Sequence, residues 1–200
     1  MSYLAIDTSG KHLTAIIEAD GKIYTRFLKD CGVKHSVALM PTIEELEKKS
    51  GKKIKDADFI ACVVGAGSFT GIRIGVATAK ALCFAYKKPA LSITSFDTLA
   101  YNVKDDALAV IDAGHGGYYV CGYKNGAADT EPSYLTEEEV LKLGKGRRVV
   151  SFERLDKVGA EEVSPADGLI AAIEAKKTEL IPPEELTPLY IRKSQAEEGR

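Results

Sequence analysis

The sequence predicts an α/β fold of two tandem β-β-β-α lobes, the second of them reduced. Three observations carry this. Short apolar runs joined by tight turns open the chain, a glycine-rich stretch links an apolar run to a long helical one, and the opening pattern returns near residue 107. The expected boundary puts 1–103 in the first lobe and 104–200 in the second.

The elements follow in order. Tyr3 to Asp7 and Leu13 to Ala19 read as strands, Asp20-Gly21 as a hairpin turn, and Ile23 to Leu28 as a third strand. Residues 36–50 are helical, with Val37, Met40, Ile43 and Leu46 at helix-like spacing and charged residues on the other face. Pro41 must sit in the first turn or kink that helix. A strand at 59–64, a helix at 70–86, a strand at 90–94 and a short helix from Ser95 to Asn102 complete the first half.

The second half repeats the start. Leu108-Ala109-Val110-Ile111-Asp112 is similar to Leu4-Ala5-Ile6-Asp7, Asp7 precedes Gly21 by fourteen residues, and Asp112 precedes Gly126 by fourteen. A hairpin turn holds the glycine in both, Asp20-Gly21 and Asn125-Gly126, so spacing and pattern agree on a duplication. A helix from Glu137 to Leu143, a strand from Val149 to Phe152, a helix from Ala166 to Lys177 and an extended proline-containing tail from Pro182 follow.

The most informative stretch is Gly65-Ala66-Gly67-Ser68-Phe69-Thr70-Gly71-Ile72-Arg73-Ile74-Gly75. A strand, a glycine turn and a helix start place backbone N–H groups where they can hold an anion, or let two backbones approach closely. No complete phosphate-loop or nucleophile signature is present. A Walker loop needs glycine and then lysine from position 70, which holds Thr70; a dinucleotide turn needs glycine there, and it comes one residue late at Gly71. A nucleophile elbow around Ser68 needs glycines where Ala66 and Thr70 stand. Two readings stay open: a packing turn with Ser68 or Thr70 as N-cap, or a vestigial phosphate site drawing on Asp7, Thr8, Gly67, Ser68, Thr70 and Gly71.

Size and composition exclude several classes. Two hundred residues, 45% hydrophobic and 28% charged, support a core without staples. A net charge of −2 gives no bulk drive toward nucleic acid, and the basic run Lys142 to Arg148 reads as a solvated loop. No signal peptide or membrane span is expected. Cys31, Cys62, Cys83 and Cys121 are scattered, which fits a reducing cytoplasm, and the last three read as buried hydrophobes. His12, His35 and His115 show no metal-ligand spacing, and His35-Ser36 reads as a capping dipeptide.

The helix at 72–86 carries a positive clue. Of its fifteen residues only Arg73 and Lys80 are charged, and Gly75, Ala77, Ala79, Ala81 and Ala85 make it thin. A helix apolar nearly all round needs cover nearly all round, and a sheet supplies one side. The other side calls for the 35–50 helix alone or for a second protein. The expected partner interface is Val37, Met40, Ile43, Ile72, Val76, Ala79, Lys80 and Cys83.

Tandem β-β-β-α modules suggest the actin-like ATPase (ASKHA, ribonuclease H-like) architecture. That fold sets phosphate loops, each after an aspartate such as Asp7 or Asp112, in a cleft between two domains. A nucleotide-hydrolysing member also needs a carboxylate-held metal and a late glycine-rich adenosine turn, and after Gly117 no two glycines are adjacent. An active actin-like small-molecule kinase or ATPase is therefore the alternative reading, and a peptidase the second alternative.

Ala5-Ile6-Asp7-Thr8-Ser9, His35-Ser36 with Leu39-Met40-Pro41, the block Gly65 to Ala79, the stretch Pro89 to Leu99 and the tail Pro188-Leu189-Tyr190-Ile191-Arg192 resemble the TsaB (YeaZ) family. The resemblance implies an actin-like subunit that has lost its own catalysis and serves in making threonylcarbamoyladenosine in tRNA. It implies a catalytic paralogue, TsaD, and a P-loop ATPase, TsaE. Without the paralogue the apolar helix surface is expected to drive a homodimer; only indirect contact with tRNA, no metal or cofactor on the isolated chain, and ATP or ADP in the assembled complex are also expected. Where TsaD carries two metal-binding histidines, the corresponding positions here are Ser95 and Leu99, neither of which replaces imidazole at a metal. Two positions depart from the family: Ala66 where proline is usual, and Gly114 where a charged residue often stands.

Overall fold

The computed structural model describes residues 1–192. Its elements in chain order are β1 (Tyr3–Asp7), β2 (Leu13–Ala19), β3 (Lys22–Leu28), α1 (His35–Ser50), β4 (Phe59–Val63), α2 (Phe69–Tyr86), β5 (Ala90–Ile93), α3 (Ser95–Ala100), β6 (Ala107–Gly114), β7 (Gly117–Lys124), β8 (Ala127–Ala128), β9 (Ser133–Thr136), α4 (Glu137–Leu143), β10 (Arg148–Ser151), β11 (Glu161–Glu162) and α5 (Pro165–Lys176).

The strands form two sheets of one topology. The first runs β3-β2-β1-β4-β5; the second runs β11-β10-β6-β7-β8, with β9 also on β7. Read from the opposite edge, β6 stands where β1 does, β7 where β2 does, and β10 where β4 does. The pairings agree: β1–β2 and β6–β7 are antiparallel, β1–β4 and β6–β10 parallel. Even the hairpin turns match. Asp20 and Gly21 have φ of 53° and 77°, Asn125 and Gly126 of 51° and 77°. Positive φ at both central residues suits the twist of the flanking strands and favours Asn, Asp and Gly there. The architecture is the expected actin-like one; the second sheet has six strands to the first sheet's five, and the reduction lies in the short helices α3 and α4 and the smaller core of that unit.

Contacts divide the chain differently from a cut at residue 103. One compact unit is Met1–Thr94 with Ile173–Leu189; the other is Ser95–Ala172 with residues 190–192. The tail returns to the first unit because it finds partners there. Ala90 and Ile181 exchange two backbone hydrogen bonds of 2.9 and 2.8 Å, and Leu186 is fully buried in the core of that unit.

In the first unit β1 and β4 are buried on both faces, as central strands of a mixed sheet must be. Helices α1 and α2 lie side by side against one face of that sheet. The stripe of α1 that meets the core is His35, Leu39, Thr42, Ile43 and Leu46. Val37 and Met40, expected on the apolar stripe, fall on the outward face, because the centre of that stripe leaves Met40 about a third of a turn away and Val37 about half a turn away. Pro41 lies in the second turn, so the Val37 carbonyl has no amide partner four residues on. In the second unit, Leu108, Val110, Tyr118, Val120, Val140 and Val158 form a smaller core.

Candidate docking surface and glycine turn

The glycine turn is filled by the chain itself. The Ser68 N–H donates to the Ser9 carbonyl at 2.6 Å, Ser68 Oγ accepts the Gly71 N–H at 3.2 Å as the N-cap of α2, and the Ile72 N–H reaches the Ser68 carbonyl at 2.9 Å. Thr8 Oγ1 donates to the Gly71 carbonyl at 2.7 Å. A Cβ on Gly67, which has φ of 150°, would lie 2.2 Å from the Ser9 oxygen, and one on Gly71 would lie 2.0 Å from the Thr8 oxygen. From the other side the Leu189 N–H donates to the Val64 carbonyl at 2.8 Å, and the Leu189 oxygen sits over Gly65. The glycines thus permit close backbone approach, and Ser68 is the cap while Thr70 is exposed. The residues expected around a vestigial phosphate site do come together, but the contacts joining them run from one part of the chain to another.

Asp7 ends β1 with its carboxyl buried. Ser9 donates to Asp7 Oδ1 through its N–H at 2.8 Å and through its Oγ at 2.7 Å. Burial pushes the carboxyl above its usual range, partly offset by the Ser9 donors and by His35 and His12. In the second unit Asp112 makes the corresponding local contact, accepting the Gly114 N–H at 2.7 Å, but at the exposed end of β6. Ser95 and Leu99 are both buried. Among the described residues no group of three or more His, Cys, Asp or Glu is placed to hold a metal ion, and no helix is long and apolar enough to cross a membrane. All four cysteines are buried and free, and burial raises the Cys62 and Cys83 thiols.

The apolar helix pair has an open side. Val37 is 70% exposed, Met40 41% and Phe84 54%. Beside them Ala77, Ala81 and Ala85 line the outward face of α2, with Ile74 and Thr78 half-buried. Ile43, Ile72, Val76, Ala79 and Cys83 belong instead to the chain's own core. These five side chains are buried between the two helices and the sheet, where a partner cannot reach them. Lys80 is half-buried and donates to the Glu184 carbonyl at 3.1 Å, so it holds the returning tail. Ala77, Ala81, Ala85 and Phe84 were absent from the expected interface. Their four-residue spacing opposite Ile72, Val76, Ala79 and Cys83 was the signal that distinguishes the outer face from the inner.

The chain was compared with known proteins. The family model described as TsaD, tRNA N6-adenosine threonylcarbamoyltransferase, matches residues 29–174. The protein of Bacillus subtilis named tRNA threonylcarbamoyladenosine biosynthesis protein TsaB is 28% identical over 98% of this chain and 96% of its own length. The TsaB protein of Escherichia coli is 29% identical over 84% of this chain and 72% of its own. A solved structure from Pseudomonas aeruginosa, of a protein described by its similarity to peptidase YeaZ, superposes with a TM-score of 0.80 at 20% identity, over 96% of this chain and 99% of that one, and shows the shared fold.

Proposed function

Because the chain belongs to the TsaD (tRNA N6-adenosine threonylcarbamoyltransferase) family, on its TsaB/YeaZ side, we propose that it serves in the biosynthesis of threonylcarbamoyladenosine in tRNA as a non-catalytic subunit that docks on a TsaD-type paralogue and activates it. The observation that carries the docking half is the open face of α1 and α2, where Val37, Met40 and Phe84 stand in water around an alanine stripe. Large apolar side chains clustered on a surface mark an interaction site. Small residues beside them let a partner helix approach closely.

The non-catalytic half is supported by the glycine turn. Its serine is occupied as a helix cap, and the Ser68 amide that would face an anion is bonded to Ser9. In this reading the paralogue performs the chemistry and meets the tRNA, while a TsaE-type P-loop ATPase and its ATP or ADP join the assembled complex. Without the paralogue, two copies of this chain cover the same face.

Co-purification tests it. The tagged chain, expressed with the TsaD-type paralogue of its own host, retains that protein; Ala81→Glu and Phe84→Glu variants lose it, since a carboxylate in a dry interface costs several kcal/mol, of order a hundredfold or more in affinity. Undiminished retention by both folded variants overturns the placement. Micromolar Mg-ATP binding with turnover by the isolated chain overturns the non-catalytic assignment in favour of an actin-like kinase.

A further inference from the structure

We propose that His35 is a proton-sensitive latch, fastening the first turn of α1 to the β1–β2 loop and letting it go in mild acid. Little at the helix's own start caps that turn. The residue before α1, Lys34, makes no side-chain cap, and no acid stands in the first turn. Pro41 leaves the Val37 carbonyl without an intrahelical partner. A helix start so built relies on tertiary contact.

His35 supplies that contact. It opens α1 and is 1% exposed. Its ring Nε2 lies 3.1 Å from the main-chain carbonyl of His12, so Nε2 carries the proton and donates. Nδ1 is then a bare lone pair, buried and without a hydrogen-bond partner. It lies 3.3 Å from where a Cβ on Gly71, at the start of α2, would stand. One neutral ring therefore ties the start of α1 to the β1–β2 loop, beside the start of α2.

A second proton has no good place to go. On Nδ1 it would make a buried cation at a nitrogen that has no hydrogen-bond partner among the described residues. The charged and titratable groups around the ring are few. From β1 comes Asp7, whose buried carboxyl attracts a charged ring but is already engaged by both Ser9 donors. From the β1–β2 loop comes His12, itself 3.9 Å from Asp30. On its own element Lys34 precedes it, exposed, and from α2 the facing residue is Gly71, without charge. Burial outweighs the attraction of Asp7, and the ring is held below its ordinary value of 6.5. A ring released to water binds the proton more readily, so acid favours the released state; the latch is intact above that ordinary value and weakens as pH falls through it. Val37 and Met40 follow within five residues, so the release also disorders one end of the docking face, a consequence that rests on the function proposed above.

Hydrogen exchange reads the latch without any partner. Protection factors of the amides of residues 37–40, corrected for intrinsic exchange, are compared with those of residues 46–50 of the same helix at pH 7.5 and 5.5. The expected result is a loss of protection in the first set alone, up to about tenfold, the limit for one proton bound across the ordinary histidine value. In His35→Gln, which keeps a neutral donor for the His12 carbonyl, the loss disappears; in His12→Gln it stays. Equal loss in both segments, or an unchanged loss in His35→Gln, overturns the proposal. Should the glutamine variant not fold, the nitrogen spectrum of the wild-type ring decides: a neutral Nε2–H tautomer at pH 7.5 whose protonation coincides with the loss of protection supports the latch, and a ring titrating near 6.5 with protection unchanged overturns it.

Discussion

The Ser68 N–H reaches the carbonyl of Ser9 across 2.6 Å, joining residues nearly sixty positions apart. That bond seats the start of α2 on the loop after β1, and it requires backbones so close that side chains have no room between them. Gly71 shows the requirement in pure form. Its backbone is not in the positive-φ region, so its need is space alone, with the Thr8 oxygen 2.0 Å from where a Cβ would stand.

Gly71→Ala is therefore expected to destabilise the protein by about 1–3 kcal/mol, the range for forcing an extra carbon into packed structure, even though alanine improves helix propensity by up to about 1 kcal/mol. Gly10→Ala, where nothing lies within 4 Å, is the control and changes little. Thermal melts of the two variants check this, and equal melting temperatures would contradict the geometry.

Asp7 makes a pH prediction. Its carboxyl binds its proton more tightly in the folded chain than in the unfolded one, above the reference value of 3.8. Its contribution to stability is thus fully present below that value and is lost as pH rises through the folded value. Asp7→Asn keeps an acceptor for the two Ser9 donors but has no charge to desolvate. The stability of this variant relative to the wild type should grow between pH 4 and pH 7.5, by on the order of 1 kcal/mol. Chemical denaturation at both pH values measures it; a relative stability that falls with pH is the contrary outcome.

Much of the fold was readable because it is written in local terms. The alternating apolar residues of β2, the Asp20-Gly21 and Asn125-Gly126 turns and the acid-rich start of α4 each specify their own backbone, and all appear where expected. The two-residue strand Glu161–Glu162 was not readable, since two exposed glutamates acquire strand character only by pairing with Val150 and Ser151. The return of the tail was equally silent: Ile181 and Leu186 look like linker residues until Ala90 and the α2 flank meet them. The candidate site was half legible. Periodicity revealed that α2 is apolar all round, but which side faces the sheet is decided by the partners of Ile72 and Val76, not by their identity.

The two faces of α1 give opposite expectations for similar side chains. Ile43 is fully buried, so Ile43→Ala should cost about 2–5 kcal/mol in folding stability. Val37 projects into water, so Val37→Glu should leave folding within about 0.5 kcal/mol while weakening self-association and capture of the paralogue. Denaturant titration paired with sedimentation analysis distinguishes them. A Val37→Glu protein that unfolds as readily as Ile43→Ala would place Val37 in the core after all.

Leu186 tests whether the returning tail is structural. It sits after a 3₁₀ turn at Pro183–Glu185 and is buried in the same core as Ile72, Val76 and Cys83, while the neighbouring Glu184 carbonyl takes the Lys80 ammonium at 3.1 Å. Two further points fix the segment, the paired hydrogen bonds at Ile181 and the Leu189 N–H on the Val64 carbonyl. With both ends tied, the gap left by Leu186→Ala cannot close by the tail simply shifting along α2, so the loss should reach the usual cost of a buried leucine, about 2–5 kcal/mol. Lys80→Met keeps the stem that lies along the tail and removes one charged donor, and should cost about 1 kcal/mol or less because that end is partly solvated. Denaturation midpoints for the two variants give the comparison; a Leu186→Ala protein as stable as the wild type would mean that the first unit folds without its tail.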